Sequence, residues 1–513
     1  MDNFIEFQNI TKTFGDVVAN KDVNLTIKKG EILALLGENG SGKTTLMNML
    51  SGIYYPDSGK IIFNGNEVKI TSPKVAFDLG IGMVHQHFKL IDVFSAAENI
   101  ILGLKDKFII NYKQVEKKID KLSKKYGFDI DLEKKVYNMS ISEKQTIEIV
   151  KQLYRGTDFL ILDEPTAVLT PQEIKKLFTI LRKMKADGKS IIIITHKLQE
   201  VLEISDRVAI LRKGELIDTI PTKEATEEKL TYLMVGKHIS LNIKRDPVVD
   251  RKKRLVISHL SCVHRTGIHA LNDVNFEVYG GEILGIAGIA GSGQKELLEC
   301  ISGLQHSNGN CSITYFNPDG RIENLIGKSP KEISKLGVSF AFIPEDRLGM
   351  GLVGNMNMVD NMMLRSYNDG KSPLLSYKKP EKLAEEVREK LDVSTPSLKT
   401  PIRKLSGGNV QKVLVGREVA SKPKVLMTAY AVRGLDINTS YAIYNILNEE
   451  KKEGVAVIYV GEDLDVLVEL CDRILVLCDG SVTGILDGRK TNKLEIGKLM
   501  TKKENENAIS EQE

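Results

Sequence analysis

The chain has 513 residues, 42% hydrophobic and 27% charged, which excludes a disordered or collagen-like polymer and leaves room for a large buried core. Lysine and arginine total 72 against 68 aspartate and glutamate, so the net charge is only +4, too mild for a protein that works mainly by gripping nucleic acid. Five cysteines, at 262, 300, 311, 471 and 478, form no CxxC pair, and an odd, scattered set suits reduced thiols in a cytosol.

The first residues, MDNFIEFQNITKTFG, lack the basic start and apolar run of a signal peptide, so none is expected. Runs such as Ile32–Leu36 and Ile191–Ile194 are far shorter than the roughly 20 apolar residues a membrane-crossing helix needs. If the chain serves a membrane, it is expected to do so from the cytosolic side, through partners.

In chain order, Ile32–Leu36 is predicted to be a buried parallel strand, because its apolar run does not alternate. Gly37-Glu38-Asn39-Gly40-Ser41-Gly42-Lys43-Thr44 follows it and fits G-x-x-x-x-G-K-[ST], with a helix predicted over TLMNMLSG, starting at Thr45. Glycines let such a loop turn its N–H groups inward onto phosphate oxygens, and the helix start adds the positive end of a dipole. Lys43 is placed to reach β- and γ-phosphates and Thr44 to offer its hydroxyl to Mg²⁺. The Lys-rich stretch Asn111 to Phe128 has apolar residues at helical spacing and reads as the solvated face of a small helical subdomain.

Phe159 to Pro165, FLILDEP, is an apolar strand ending in two carboxylates. Asp163 can hold Mg²⁺ through water, and Glu164 can orient or deprotonate an attacking water. IIIITHK ends a further strand with His196, placed to sense a γ-phosphate. His85 and His87 flank Gln86, but no cysteine or further histidine accompanies them, which argues against a transition-metal site.

The pattern then restarts. DVNLTIKKGEILALLGENGSGK, from Asp22, resembles DVNFEVYGGEILGIAGIAGSGQ, from Asp273, at a separation of 251 positions. SDRVAIL, from Ser205, resembles CDRILVL, from Cys471, at 266. So long a period means duplicated domains: a first over 1–240, a polar, basic linker over 241–254, a second over 255–501, and a charged tail over 502–513. Strand–loop–helix–strand order within each copy implies an α/β core.

These motifs, in this order and twice over, resemble the ATP-binding subunits of ABC transporters. The resemblance implies two tandem P-loop nucleotide-binding domains, each with a RecA-like core, an antiparallel β subdomain and a helical subdomain, the latter at roughly 87–139 and 346–405. It implies ATP and Mg²⁺ as cofactors. The nucleotide would lie on Gly37, Glu38, Asn39, Gly40, Ser41, Gly42, Lys43, Thr44 and Thr45, with Phe14 where the family stacks an aromatic on adenine. Thr44, Gln86 and Asp163 would hold the metal; Glu164, His196 and Gln86 would serve catalysis. The family's LSGGQ signature, which caps the nucleotide bound by the opposite copy, is matched by Leu405 and Ser406-Gly407-Gly408-Asn409 in copy two. Copy one reads Met139-Ser140-Ile141-Ser142-Glu143 at the same place.

The departures sort by site. Gln294 replaces Lys43, Lys295 replaces Thr44, Ala429 replaces Asp163, Tyr430 replaces Glu164, Glu462 replaces His196 and Glu345 replaces Gln86. In the family's head-to-tail pairing, one composite site would combine every intact residue and the other every degenerate one. That implies one hydrolytic centre and one in which only weak or structural nucleotide binding is expected.

Tandem copies with a degenerate second loop look like importers of simple sugars and nucleosides. Loss of both acids in VLMTAYAVRGLD is similar to the nucleoside-type members. The resemblance implies two integral-membrane permease subunits, an extracellular substrate-binding lipoprotein acting indirectly, no nucleic acid, and a peripheral position on the cytoplasmic face of the cell membrane. The alternative is a soluble tandem-cassette translation factor acting on ribosomes. Such factors usually keep both catalytic glutamates and a long charged helical linker, whereas here Tyr430 replaces one glutamate and the linker is short.

Overall fold

The computed structural model describes residues 3–15, 17–86, 88–103, 112–236, 243, 245–248, 251–263, 267, 269–367 and 375–501. The chain divides into two compact units, Met1–Ser240 and Leu241–Glu513.

In the first unit, Ile32–Leu36, Phe159–Asp163 and Ser190–Thr195 are buried at every position, as non-alternating apolar runs must be when both sheet faces are covered. They lie at the centre of a six-stranded sheet in the spatial order Glu215–Pro221, Arg207–Arg212, Ile32–Leu36, Ser190–Thr195, Phe159–Asp163, Ile81–Val84. All neighbours pair in parallel except the edge hairpin formed by Arg207–Arg212 and Glu215–Pro221. Ile191, Ile192, Ile193 and Ile194 are all removed from water, a stabilisation of roughly 2 kcal/mol per side chain. A second, antiparallel sheet of four strands runs Val17–Lys28, Asn3–Phe14, Ser58–Phe63, Asn66–Val68.

The helical part comprises Ala96–Ile101, Tyr112–Tyr126 and Ile141–Tyr154. Along Tyr112–Tyr126, Val115, Ile119 and Tyr126 are buried and the lysines lie on the other side, as the helical spacing predicts. The Lys118 ammonium lies 4.0 Å from the centre of the Tyr154 ring, and Lys124 and Lys125 pair with Asp120 and Asp187.

The second unit repeats the plan. Its six-stranded sheet runs Phe340–Ile343, Val425–Ala429, Ala456–Val460, Ile283–Gly288, Arg473–Cys478, Ser481–Asp487, and its antiparallel sheet runs His269–Tyr279, Lys253–Val263, Ser312–Phe316, Ile322–Asn324. One hairpin is longer in this copy: residues 317–321 join the last two of these strands, where residues 64–65 suffice in the first unit.

The stretch read as a linker over 241–254 is not loose where it is described. Ile243 is buried in the second unit's core. Arg245 donates to the Val468 and Cys471 carbonyls, and Lys451 donates to the Asp246 carbonyl at 2.6 Å. Ile243 thus anchors a mostly polar segment whose composition alone reads as solvent-exposed. The strand of the second domain starts at Lys253, two residues before the expected boundary. The five cysteines are free thiols. The tail over 502–513 and His87 lie outside the described residues.

Candidate nucleotide-hydrolysing site

The loop 37–42 joins the strand Ile32–Leu36 to the helix Lys43–Leu50. Gly40 and Gly42 have φ of 80° and 96°, a region that side chains with a Cβ rarely enter. A Cβ on Gly37 would collide with the Leu211 carbonyl and the Ser41 hydroxyl. The loop therefore needs its glycines for backbone reasons. It is closed by Ser41 N–H donating to the Glu38 carbonyl at 3.1 Å and by Gly214 N–H donating to the Ser41 carbonyl at 3.1 Å. Ser41 is buried, and its hydroxyl has no hydrogen-bond partner within the chain. A buried polar atom without a partner is costly, and an acceptor oxygen of a bound phosphate would satisfy it.

Lys43 Nζ donates to the Gly37 and Glu38 carbonyls at 2.7 and 2.8 Å. Burial lowers its pKa, while Glu164, Asp163 and Glu38 oppose that fall. Asn39 and Gly40 are exposed at the tip, and Glu38 and Thr45 are half-buried.

Across from the loop, Thr44 Oγ1 lies 3.3 Å from Asp163 Oδ2. A hydroxyl and a carboxylate suit a hard divalent cation, and Thr44, Asp163 and Gln86 are the residues here that could hold Mg²⁺. Burial, then the neighbouring Glu164 charge, pushes the Asp163 carboxyl up to about 6. Glu164 goes the other way. Burial raises it, but the His196 hydrogen bond, the His196 charge, Lys43 and Lys197 outweigh burial and hold it below the ordinary carboxylate range. Two adjacent carboxyls driven apart in this way can take different roles.

Glu164 sits just past its strand with φ 46°, and its N–H donates to the Ile194 carbonyl at 2.9 Å. Left-handed backbone at a residue with a full side chain is strained, and such strain collects at functional sites. Its carboxylate is held at both oxygens, by His196 Nδ1 at 2.8 Å and by Gln86 Nε2 at 3.3 Å. The structure thus brings Lys43, Thr44, Gln86, Asp163, Glu164 and His196 together in one unit. Phe14, at the end of its strand, is 44% exposed and is not a core residue; Tyr54 packs against it with ring centroids 5.1 Å apart. His85 is half-buried, and burial lowers its pKa.

In the second unit the backbone of the loop survives while the chemistry is lost. Gly291 and Gly293 have φ of 92° and 98°, and Gly480 N–H donates to the Ser292 carbonyl at 3.2 Å. Gln294 is buried and donates to the Ile289 carbonyl at 3.0 Å, copying the lysine's contact with its own loop but not its charge. Lys295 lies 3.8 Å from Glu299. Tyr430 keeps the left-handed turn, with φ 51° and its N–H donating to the Val460 carbonyl at 3.0 Å. Burial pushes its hydroxyl up to about 12, so it is no base near neutral pH.

Sequence reading missed Arg433, which pairs with Glu462 at 3.1 Å and with Glu345. The available signal was indirect: replacing Gln86 and His196 by two carboxylates demands a cation nearby.

The two signature segments also differ in detail. Ser406 caps the helix Gly407–Ala420 by accepting from Asn409 N–H at 3.4 Å; the Asn409 side chain donates to Ser406 Oγ at 2.9 Å and accepts from Ser394 N–H at 2.9 Å. A Cβ on Gly408 would lie 3.2 Å from Thr439 Oγ1. In the first unit Ser140 and Glu143 form a reciprocal capping box, and Lys134 reinforces Glu143 at 2.7 Å. That helix start is closed by its own carboxylate.

The ABC transporter family model matches residues 20–167 and again 271–428. The chain belongs to the ABC transporter family, as a tandem pair of its ATP-binding cassettes in one ATP-hydrolysing subunit. It is 40% identical over 501 residues, 97% of each chain, to the nucleoside import ATP-binding protein NupA of Lactococcus lactis. It is 42% identical over 509 residues, 98% of each chain, to the guanosine import ATP-binding protein NupO of Bacillus subtilis. It is 38% identical over 533 aligned positions, 97% of this chain and 96% of the other, to the glucose import ATP-binding protein TsgD13 of Haloferax volcanii. No helix among the described residues is long and apolar enough to cross a membrane.

Proposed function

We propose that this chain is the ATP-hydrolysing motor of an importer of nucleosides or simple sugars, with nucleosides as the cargo. The observation that carries the hydrolytic reading is Glu164, held at both carboxylate oxygens beside Asp163, Thr44 and Lys43. The 40% and 42% identity to nucleoside and guanosine import proteins over nearly the full chain supports the cargo.

ATP is held by the loop N–H groups and Lys43, with Phe14 against the base. Thr44, Asp163 and Gln86 would hold Mg²⁺, which would supply neutralisation of phosphate charge there. Glu164 accepts the proton of the attacking water. As that water's oxygen bonds to the γ-phosphorus, the bond to the bridging oxygen breaks and ADP leaves. His196 holds Glu164 through Nδ1, which leaves its other ring nitrogen for the γ-phosphate. Ser406–Asn409, the intact signature, would take the nucleotide-capping role it has in the family, and the centre containing Ala429 and Tyr430 would not hydrolyse. The partners are two permease subunits and, indirectly, an extracellular binding lipoprotein, which places the chain on the cytoplasmic face of the membrane.

The test is a thermal-shift screen of the binding lipoprotein that co-purifies with this ATPase and its permeases. Stabilisation by ribonucleosides, and by no pentose or hexose, is expected. Stabilisation by a sugar alone would move the cargo to the sugar group and leave the hydrolytic reading intact.

A further inference from the structure

We infer that the catalytic centre lost from the second unit has been rebuilt as a brace for the signature turn, with Arg433 and Arg347 as its positioning residues. This rests on the reading above that Ser406–Asn409 caps the nucleotide.

Glu345 and Glu462 occupy the places that Gln86 and His196 hold in the first unit. There the two side chains converge on the Glu164 carboxylate. In the second unit they converge instead on a cation: Arg433 Nε lies 3.1 Å from Glu462, and Nη1 pairs with Glu345. The guanidinium carbon lies 5.9 Å from the centre of the Tyr430 ring. Arg433 itself belongs to the turn that follows Tyr430, where Arg433 N–H donates to the Tyr430 carbonyl at 3.0 Å. Two carboxylates and an aromatic ring thus fix that turn through one side chain.

The fixed turn then holds something else. The Arg433 carbonyl accepts a hydrogen bond from Arg347 Nη2. Arg347 opens the turn Arg347–Gly351, whose backbone Asp346 caps by accepting from Leu348 and Gly349 N–H. The other arm of the same guanidinium, Nη1, lies 3.4 Å from where a methyl group on Gly407 would be. Arg347 and Gly407 line one concavity of about 300 Å³, with Leu405 and Val410.

Arg347 is half-buried, yet no carboxylate among the described residues lies within ion-pair distance of it. A desolvated cation without a counter-charge is costly to keep for stability alone. Its planar fork bonds the Arg433 carbonyl with one arm while the other lies beside Gly407, an arrangement a lysine's single ammonium cannot copy.

The first unit, whose signature is degraded, has none of the three parts. Ala167, Phe88 and Ile141 stand where Arg433, Arg347 and Gly407 stand in the second. The brace occurs only in the copy whose signature is intact. Its purpose follows from the precision required: a misplacement of about 1 Å in a group that orients a phosphate can cost roughly 100-fold in rate.

The experiment uses the whole transporter, this chain with its permeases in lipid nanodiscs, and reads ATPase kcat, KM for ATP and the melting temperature. Arg433→Ala and Arg347→Ala should each lower kcat by about tenfold or more while KM stays within about twofold. The double variant should lose no more than the worse single one, because both residues act through one chain of contacts. Arg347→Lys should not restore kcat. Ser406→Ala, run alongside, should lose turnover on its own. Loss in Ser406→Ala with full kcat in both arginine variants would overturn the brace and leave the capping role standing. Full turnover in Ser406→Ala would overturn the capping role and the brace with it. A loss of kcat that follows a lowered melting temperature and returns on cooling would reduce the arginines to fold stability and overturn the inference.

Discussion

Asp163 and Glu164 are neighbours in the chain, yet burial and charge push one carboxyl up to about 6 while His196 and the lysines hold the other down. The folded value of Asp163 lies above the ordinary 3.8, so the folded chain binds more protons than the unfolded one between those two values, and stability falls as pH rises through that window. At neutral pH the charged Asp163 therefore costs stability. Asp163→Asn should abolish turnover and yet raise the unfolding free energy of the nucleotide-free chain by on the order of 1 kcal/mol, read by urea denaturation at pH 7. A destabilised Asn variant would contradict this. In the intact protein, turnover at low Mg²⁺ should fall as pH drops through about 6, where Asp163 gains its proton. Excess Mg²⁺ should move that midpoint to lower pH, because metal and proton compete for the same oxygens. A midpoint indifferent to Mg²⁺ would remove Asp163 from the metal site. Lys43, Thr44, Asp163 and Glu164 were legible in sequence because each is fixed to the end of an apolar strand by short local spacing. Arg433 was not, since the carboxylates that explain it come from positions 345 and 462, far away in the chain.

At the scale of elements, each unit's signature helix shows how a start sequence decides what a helix end can do. Ser140-Ile141-Ser142-Glu143 closes the first turn with a capping box and a carboxylate, whereas the second helix is capped by Ser406 and Asn409 without a carboxylate, and Gly407 and Gly408 add no side chain between them. Glu143→Ala should cost about 1 kcal/mol through loss of the capping box and the Lys134 contact, with ATPase kcat within twofold of the parent. A large loss of kcat would mean that the first unit's helix start takes part in hydrolysis. The three central strands of the first unit were readable because burial on both faces forces unbroken apolar runs. The antiparallel strands were less so: Val17–Lys28 begins with exposed residues and only later alternates, so its first half carries no clear period. The burial of Ile243 escaped sequence reading because the few scattered apolar residues of a short, mostly polar segment set no periodicity.

For the whole molecule, the duplication itself was legible from the paired blocks near Asp22 and Asp273 and near Ser205 and Cys471, and the two units repeat one strand order. What duplication leaves open is which copy works. The degenerate residues answer it by chemistry: Gln294 keeps the loop's shape without charge, and Tyr430 keeps the turn's φ without a base. Hydrolysis then falls to a single centre, at Glu164. The most direct measurement is steady-state ATPase turnover of the whole transporter carrying Glu164→Gln, together with the nucleotide it retains. A loss of at least about 100-fold is expected, with ATP still bound and uncleaved. Residual turnover near half that of the parent would show a second working centre and contradict it.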